Sequence, residues 1–326
     1  MKKFPSLLRS LGLSAGLVLA ACGQSPSQSP DPGPNPPDPG PPPMMMTGTV
    51  TMDQMLMGAV TLTGDVIVPA GVTLTVAAGT VVTVAGNYSL SVKGSLAVQG
   101  TAASQVQFAG AQGKQWGGIA VSGTGHANLS YTQISNAQQG FATSAGTMYA
   151  LDHVLIKDSQ TGLVLASTGS VSKTVLQGMG SNQYMPLITI QDSSPTFSDV
   201  QVTNGTGNGG LDSIIVSGSS SPQFDHMEVT GFHCAFHFNS GSNIAITNSY
   251  VHDNYYAVMV FGVTPFTFSG SNLINNQTAN IGDCSSTTVT ASGNFYNGAP
   301  AFDGSCSGQK NTNPAAAMIA TAGYRP

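Results

Sequence analysis

Four ionisable side chains recur at equivalent positions of a repeated segment and could do acid–base chemistry together. They are His153, Lys173, Asp199 and His226, each two residues after the apolar residue that opens its segment. If the segments stack about 4.8 Å apart, all four lie within about 15 Å. Such a set could supply a general acid and a general base for breaking a covalent bond. The alternative, which we favour, is a row of solvated turn residues without a catalytic role or cofactor.

A second group of side chains is better suited to holding a ligand than to catalysis. Aromatic and apolar groups on a flat sheet can stack against sugar rings. The alternative is a set of unrelated aromatic turn residues. We predict no metal site, because two histidines four apart on a strand do not create one. The candidate ligand-binding residues are Phe232, His233, His237, Tyr255, Tyr256 and Met259.

A short sequence repeat must position both groups. Segment 235–238 is matched one period later by segment 257–260. Both are short, rich in β-branched or aromatic residues, and alternate with period two, which is typical of strands. The alternation predicts that Phe236 and Val258 point inward. The apolar residues that close successive segments recur at nearly the same period, with two longer intervals around Val202, and they are Ile134, Ile156, Leu176, Val202, Val229, Val251 and Leu273.

Asparagine and aspartate recur near the turn that follows each closing residue. Asparagine tolerates a left-handed backbone and can hydrogen-bond to a neighbouring coil, so we predict a structural role for these residues. They are Asn136, Asp158, Asn204, Asn254 and Asn276.

The strand-and-turn pattern over 66–108 is followed by Trp-Gly-Gly-Ile at 116–119 and, much later, by Asn-Phe-Tyr-Asn-Gly at 294–298. This succession resembles the coils of secreted proteins of the pectin-lyase-like superfamily, over about four-fifths of the chain. The resemblance implies an all-β fold, a single-stranded right-handed parallel β-helix. We expect a solenoid of about eleven coils of roughly 22 residues each.

Enzymes of that superfamily carry motifs that this chain lacks. Polygalacturonase-like chains have Asn-Thr-Asp, paired Asp, His-Gly and Arg-Ile-Lys motifs, and pectate-lyase-like chains need an arginine base and an acidic calcium cluster. The one arginine beyond the N-terminal region is Arg325, at the C-terminus, where we expect no catalytic role. A lysine could replace the arginine base, so the departure weakens the enzymatic alternative without removing it.

The composition limits the classes of partner. Only 7% of the 326 residues are charged, and the net charge is −5, whereas a typical soluble domain has about 25% charged residues. A surface with so few cations lacks the basic patches that bind nucleic acid. We therefore expect no nucleic-acid partner, and we expect a monomer.

The N-terminus has the features of an export signal. Basic residues precede an apolar stretch over 11–20, as in secreted precursors. Leu-Ala-Ala-Cys at 19–22 resembles the lipobox of bacterial lipoproteins, which implies cleavage before Cys22 and acylation of that residue. No second apolar run is long enough to span a bilayer. The following Gly23, where aspartate would favour the inner membrane, favours the outer membrane or cell surface.

Four segments are expected along the chain. Residues 1–21 are a lipoprotein signal peptide, 22–46 a lipidated cysteine with a proline-rich disordered linker, 47–298 the parallel β-helix, and 299–326 a C-terminal tail that caps it. The linker contains too few apolar residues to form a core. A proline-rich ligand for a partner domain is the alternative role of this linker.

Sulfur-containing side chains are expected to have structural roles. Cys284 and Cys306 lie in the last coil and the tail of an exported chain, which predicts a disulfide. Cys234 remains, and we interpret it as a buried thiol rather than a nucleophile. Methionines at 44–46, 52, 55 and 57 are expected to plug the open first coil. Binding of Cu(I) by these thioethers is the alternative.

The sequence thus predicts a cell-envelope surface lipoprotein, attached to the membrane through Cys22, that acts as a non-catalytic binding or structural module. A polysaccharide or another envelope component is the expected ligand, because the surface is neutral and carries aromatic side chains. The alternative, which the resemblance to parallel β-helix enzymes implies, is an enzyme acting on an acidic polysaccharide through the four-residue column. It would be a polysaccharide lyase, with Ca²⁺ as its cofactor, a glycoside hydrolase or an epimerase.

Overall fold

A computed structural model describes most of the chain beyond the predicted linker. The predicted signal peptide, Cys22 and most of the linker lie outside the described residues, as does Asn204. The described residues are 42–178, 185–203, 210–263, 265–284, 287–299, 301–306 and 309–326.

Regular structure within these ranges is almost entirely β-strand, with one 3₁₀ turn at Gly304–Cys306. The strands are short because glycine, asparagine and aspartate interrupt each apolar run at the turns. In chain order they are β1 (Met44–Thr49), β2 (Gln54–Leu56), β3 (Ala59–Val68), β4 (Thr73–Ala77), β5 (Val81–Val84), β6 (Ser89–Val92), β7 (Ser95–Gln99), β8 (Val106–Gly110), β9 (Trp116–Val121), β10 (His126–Ser135), β11 (Ala137–Thr143), β12 (Met148–Lys157), β13 (Thr161–Leu165), β14 (Ser170–Gln177), β15 (Ile188–Gln191), β16 (Thr196–Thr203), β17 (Ile214–Ser217), β18 (Gln223–Thr230), β19 (Cys234–Phe238), β20 (Ile244–Thr247), β21 (Tyr250–His252), β22 (Tyr256–Val260), β23 (Phe266–Ser269), β24 (Asn272–Asn276), β25 (Ala279–Gly282), β26 (Val289–Ser292), β27 (Phe295–Gly298) and β28 (Asn311–Thr312).

The strands wind into a right-handed parallel β-solenoid of about eleven coils, as predicted. Each coil contributes to three parallel ladders, and the long strands bend so that their two halves pair in different ladders. The first ladder contains β2, β4, β7, β10, β12, β14, β16, β18, β20, β23, β26 and β28; the second contains β1, β3, β5, β8, β10, β12, β14, β16, β18, β21, β24 and β27; the third contains β1, β3, β6, β9, β11, β13, β15, β17, β19, β22 and β25.

The core is a stack of apolar side chains in register along the solenoid. In the third ladder Ile188 pairs with Ile214, Ile214 with Phe236, and Phe236 with Val258, and all four are 0% exposed. The inward orientation predicted for Phe236 and Val258 is therefore confirmed. Because apolar side chains of successive coils stack on one another, the solenoid has a continuous core that no single coil could form.

The turns after the second ladder are stabilised by buried asparagines. Asn136, Asp158, Asp253 and Asn275 adopt φ between 53° and 56°, the left-handed conformation that Asn and Asp tolerate. Asn254, predicted at this turn, lies one residue further along and is buried, 1% exposed. The Nδ2 group of Asn254 donates to the carbonyls of Val229 and His252, which satisfies backbone groups inside the solenoid.

Hydrogen bonds connect these buried asparagines from coil to coil. The Oδ1 atom of Asn276 accepts the backbone N–H of Asn254 at 3.2 Å, and the Oδ1 atom of Asn254 accepts that of Phe232 at 3.0 Å. Each side chain thereby fixes the turn of the coil before it, which is the structural role predicted for Asn254 and Asn276.

The two ends of the solenoid differ from the expected segment boundaries. The first strand begins at Met44, inside the predicted linker, and β28, in the segment expected to be the tail, still pairs with β26 beyond Gly298. The prediction of a methionine plug is wrong for most of the cluster, because Met45, Met52 and Met57 are between 63% and 70% exposed. Among the described residues, no helix is long and apolar enough to cross a membrane.

The predicted disulfide joins the last full coil to the tail. Cys284 and Cys306 are bonded, with Cα atoms 4.8 Å apart and a separation of 22 residues. Closing a loop of this length restricts the unfolded chain and stabilises the fold by about 3 kcal/mol.

The core register predicts a contrast between two neighbouring residues of β15. Ile190→Asp buries a charge in the apolar stack and should cost several kcal/mol, enough to prevent folding. Thr189→Asp places the same charge on the partly exposed outer side and should change the unfolding free energy by less than about 1 kcal/mol. Urea unfolding followed by circular dichroism compares the two. Equal losses of stability would contradict the inward orientation of Ile190.

Candidate functional site

The predicted column of polar residues lies at the turn between the first and second ladders. Its members share a left-handed backbone, with φ between 44° and 54°. Residues before and after His153 pair in register with β10 and β14, whereas His153 itself bends the strand outward between the ladders. The alignment of the coils is thus confirmed, including at Lys173. The residues in this conformation are Tyr131, His153, Lys173, Asp199, His226 and Asn248.

Each histidine of the column pairs with the aspartate before it. The Nδ1 atom of His153 lies 2.8 Å from Asp152, and that of His226 lies 2.7 Å from Asp225. Successive members are one coil, or about 4.8 Å, apart, so the two histidines are separated by about 14 Å. The column therefore presents two separate Asp–His pairs rather than an acid and a base that converge on one bond.

Hydrogen bonds from the next coil hold these aspartates in the ionised form. Asp225 accepts hydrogen bonds from Thr247 at 2.6 Å and from Asn248 at 2.8 Å. Burial alone would raise the pKa of Asp225, but the hydrogen bonds from Thr247, His226 and Asn248 outweigh it and lower the pKa. An aspartate held in this way is a poor general acid at neutral pH.

The C-terminal tail crosses the same column. Arg325 donates to both carboxylate oxygens of Asp199, at 2.6 and 3.2 Å. The backbone N–H of Gly323 donates to the carbonyl of Asn248 at 2.8 Å, and Ile319 exchanges two hydrogen bonds of 2.8 Å with Asn272. Arg325, for which no catalytic role was expected, thus lies at the column, where its partner is the protein's own Asp199.

The second predicted group surrounds a carboxylate that the sequence did not indicate. The Nδ1 atom of His237 lies 2.6 Å from Oδ2 of Asp212, and the Nδ1 atom of His233 lies 3.3 Å from Oδ1. The backbone N–H of Cys234 also donates to Oδ1, at 3.2 Å. Asp212 follows a glycine-rich insertion, so counting coil lengths could not place it beside the histidines.

Two sulfur atoms complete this cluster. The Sγ atom of Cys234 lies 3.3 Å from Nδ1 of His233 and 3.1 Å from Sδ of Met259. His237 and Met259 are register partners on neighbouring coils, as predicted. Asp212, His233, Cys234, His237 and Met259 are called the Asp212 cluster below.

The geometry of the cluster argues against a cysteine nucleophile. A catalytic relay needs the thiol and the carboxylate at opposite nitrogens of one imidazole. Here Cys234 and Asp212 both approach Nδ1 of His233. Burial and the negative charge of Asp212 raise the pKa of Cys234, so the thiol stays protonated. Cys234 is 0% exposed, in agreement with the predicted buried thiol.

The charges within the cluster stabilise one another. The hydrogen bond to Asp212 raises the pKa of His237 against the opposing effect of burial. Burial alone would raise the pKa of Asp212, but hydrogen bonds from His237 and Cys234 outweigh it and lower the pKa. An imidazolium–carboxylate pair is therefore favoured at the surface of the third ladder.

Aromatic rings border the cluster. Tyr255 stacks on His233 with centroids 5.2 Å apart, Tyr256 meets the same ring edge-on at 5.8 Å, and Phe261 lies 5.3 Å from His237. Tyr255 and Phe261 are 39% and 36% exposed. Phe232 is 1% exposed and belongs to the core, so its assignment to a ligand-binding surface is wrong.

The cluster stands at one end of an uncharged strip. Outward side chains of the third ladder are in register over successive coils and are partly exposed, and before His237 they are all small, apolar or hydroxylated. At about 4.8 Å per coil the strip is about 30 Å long. Its residues are Ile67, Ser91, Ala120, Ala142, Val164, Thr189 and Ile215, and the row then continues into His237 and Met259 of the cluster.

Comparison with known proteins does not extend these observations. No protein-family model, curated protein or solved structure matches this chain.

The hydrogen bonds of Asp225 predict a dependence of stability on acid. A carboxyl whose pKa is lower in the folded than in the unfolded state stabilises the fold above the ordinary pKa of about 4, and this contribution is lost as the pH falls. Asp225→Asn should therefore reduce the loss of stability between pH 7 and pH 3. Urea unfolding of both proteins at the two pH values measures it, and an identical loss would contradict the lowered pKa.

Proposed function

We propose that this protein is a cell-envelope lipoprotein of the pectin-lyase-like type whose third ladder binds an extended, uncharged glycan without cleaving it. The observation that carries the proposal is the uncharged strip, which leads to exposed rings at Tyr255 and Phe261. Flat apolar and aromatic surfaces contact the faces of sugar rings, and the neighbouring hydroxyl groups can bond to sugar hydroxyls.

The electrostatics of the strip favour a neutral ligand over an acidic one. Only 7% of the chain is charged, and His237, which lies at the end of the strip, is already paired with Asp212 at 2.6 Å. An acidic polysaccharide would meet no free cationic side chain along this row, whereas a neutral chain would lose no ionic hydration on binding.

The enzymatic alternative is a lyase, hydrolase or epimerase acting at the column of His153, Lys173, Asp199 and His226. It has less support, because each histidine there is bonded to its own neighbouring aspartate and Asp199 is bonded to Arg325. An enzyme would have to displace the tail from Asp199 before that carboxylate could act on a substrate.

If the third ladder binds a glycan, substitutions on two different faces of the rod should differ in their effect on binding. Tyr255→Ala removes a ring from the proposed binding face and should weaken binding to a neutral polysaccharide about 2- to 10-fold, the range expected for one stacked ring. Tyr131→Ala removes a ring from the column on another face and should leave binding unchanged. Affinity electrophoresis on neutral and uronic-acid polysaccharides compares the binding of the two variants. Release of cleaved sugar products, or weaker binding in Tyr131→Ala alone, would favour the enzymatic alternative at the column.

The proposed lipid anchor rests on Leu-Ala-Ala-Cys at 19–22 and on the proline-rich stretch behind it. Cys22→Ser removes the acylated thiol and should move the protein from the membrane fraction to the soluble fraction, because no other expected anchor remains. Fractionation and immunoblotting of both forms measure it. Retention of the Cys22→Ser protein in membranes would contradict the anchor.

A further inference from the structure

We propose that the Asp212 cluster is a binding site for one copper ion. The proposal is independent of glycan binding, because it rests on the donor atoms of the cluster and not on the strip. The oxygen, nitrogen and sulfur donors of Asp212, Cys234 and His237 all lie within 4.8 Å of one another, a spacing that allows them to share one ion.

The distances between donors approach those of a coordination shell. A tetrahedral site with a metal–sulfur bond of about 2.3 Å and a metal–nitrogen bond of about 2.1 Å places these two donors about 3.6 Å apart. Cys234 and His233 are 3.3 Å apart, and Cys234 and Met259 are 3.1 Å apart. Small outward shifts of the side chains are therefore enough to admit an ion among them.

The chemistry of the donors selects the metal. Thiolate and thioether ligands favour soft ions, and two histidines with a cysteine and a weaker methionine form the ligand set of copper electron-transfer sites. Met259 is the discriminating residue, because a thioether adds little to the binding of zinc or harder ions. Copper binding would release the proton of the Cys234 thiol, and the thiolate then neutralises part of the ionic charge.

The backbone around the cluster is held by bonds that do not involve the donors. The N–H of His233 donates to the carbonyl of Leu211 at 2.9 Å, and the N–H of Ser213 donates to the carbonyl of Cys234 at 2.8 Å. These two bonds join the segment carrying Asp212 to the segment carrying the histidine and the cysteine. The donors are therefore brought together before an ion arrives, which lowers the cost of binding.

The residues around the cluster would let an ion enter from the solvent and would then keep it partly buried. Cys234 is buried, whereas the side chain of His233 is 40% exposed, so an ion can enter from the solvent side. Tyr255 and Tyr256 cover the ring of His233 and limit the access of water. An apolar border of this kind stabilises copper–thiolate bonds against exchange with solvent ligands.

The test uses the full chain, purified in detergent and freed of metal, then equilibrated without oxygen against Cu(I) kept reduced by ascorbate. Metal analysis after dialysis should find one copper per chain. Cys234→Ala and His233→Ala should each lower the affinity at least about 100-fold, and Met259→Leu should lower it about 10-fold while leaving zinc affinity unchanged. The folding of each variant is checked by circular dichroism, and His233→Ala alters a half-exposed side chain that the core does not need.

Controls distinguish this site from the other possible copper ligands. His153→Ala, on a different face, should retain copper as the unaltered chain does. Less than one copper per chain in the unaltered protein would overturn the proposal. The proposal would also be overturned if Cys234→Ala and His233→Ala both bound as much copper as the unaltered protein. It would likewise be overturned if copper binding were lost only on replacement of the exposed Met45, Met52 and Met55.

Discussion

Backbone hydrogen bonds between successive coils are the constraint on which the rest of the structure depends. A single coil has too little apolar surface to fold alone, and it is stable only between two neighbours at about 4.8 Å. This spacing places Ile214 on Ile188 and Phe236 on Ile214, all in register. Polar turns inside such a stack must satisfy their own backbone groups, and Asn254 and Asn276 do so by bonding from coil to coil.

The same register converts repeated sequence positions into rows on the outside of the rod. At the corner between the first two ladders, the row contains left-handed residues, and each of its histidines is bonded to a neighbouring aspartate. On the third ladder, the row is uncharged until it reaches His237 and Met259. The two rows of one solenoid therefore differ in chemistry because each repeats a different position of the coil, left-handed at the corner and extended on the third ladder.

Coil length decided how much of the candidate sites was predictable. The apolar residues that open the coils aligned His153 with His226, although the coils between them differ in length. Counting residues paired His237 with Met259, which are one coil apart and in register. Counting failed for Asp212, which follows an insertion, and for Arg325, which is 126 residues from Asp199. Contacts that arise from insertions or from the tail have no period and therefore leave no pattern in the sequence.

The sequence by itself determined the architecture: an all-β solenoid, its period, its inward side chains and the disulfide between Cys284 and Cys306. These features follow from local alternation and from spacing, which the chain carries explicitly. Only the tertiary structure decided that Phe232 lies in the core and that Asp212 gathers two histidines, a thiol and a thioether around it. The physical reason is that side-chain contacts between coils depend on the path of the turns, and turns of unequal length are not encoded by a repeat.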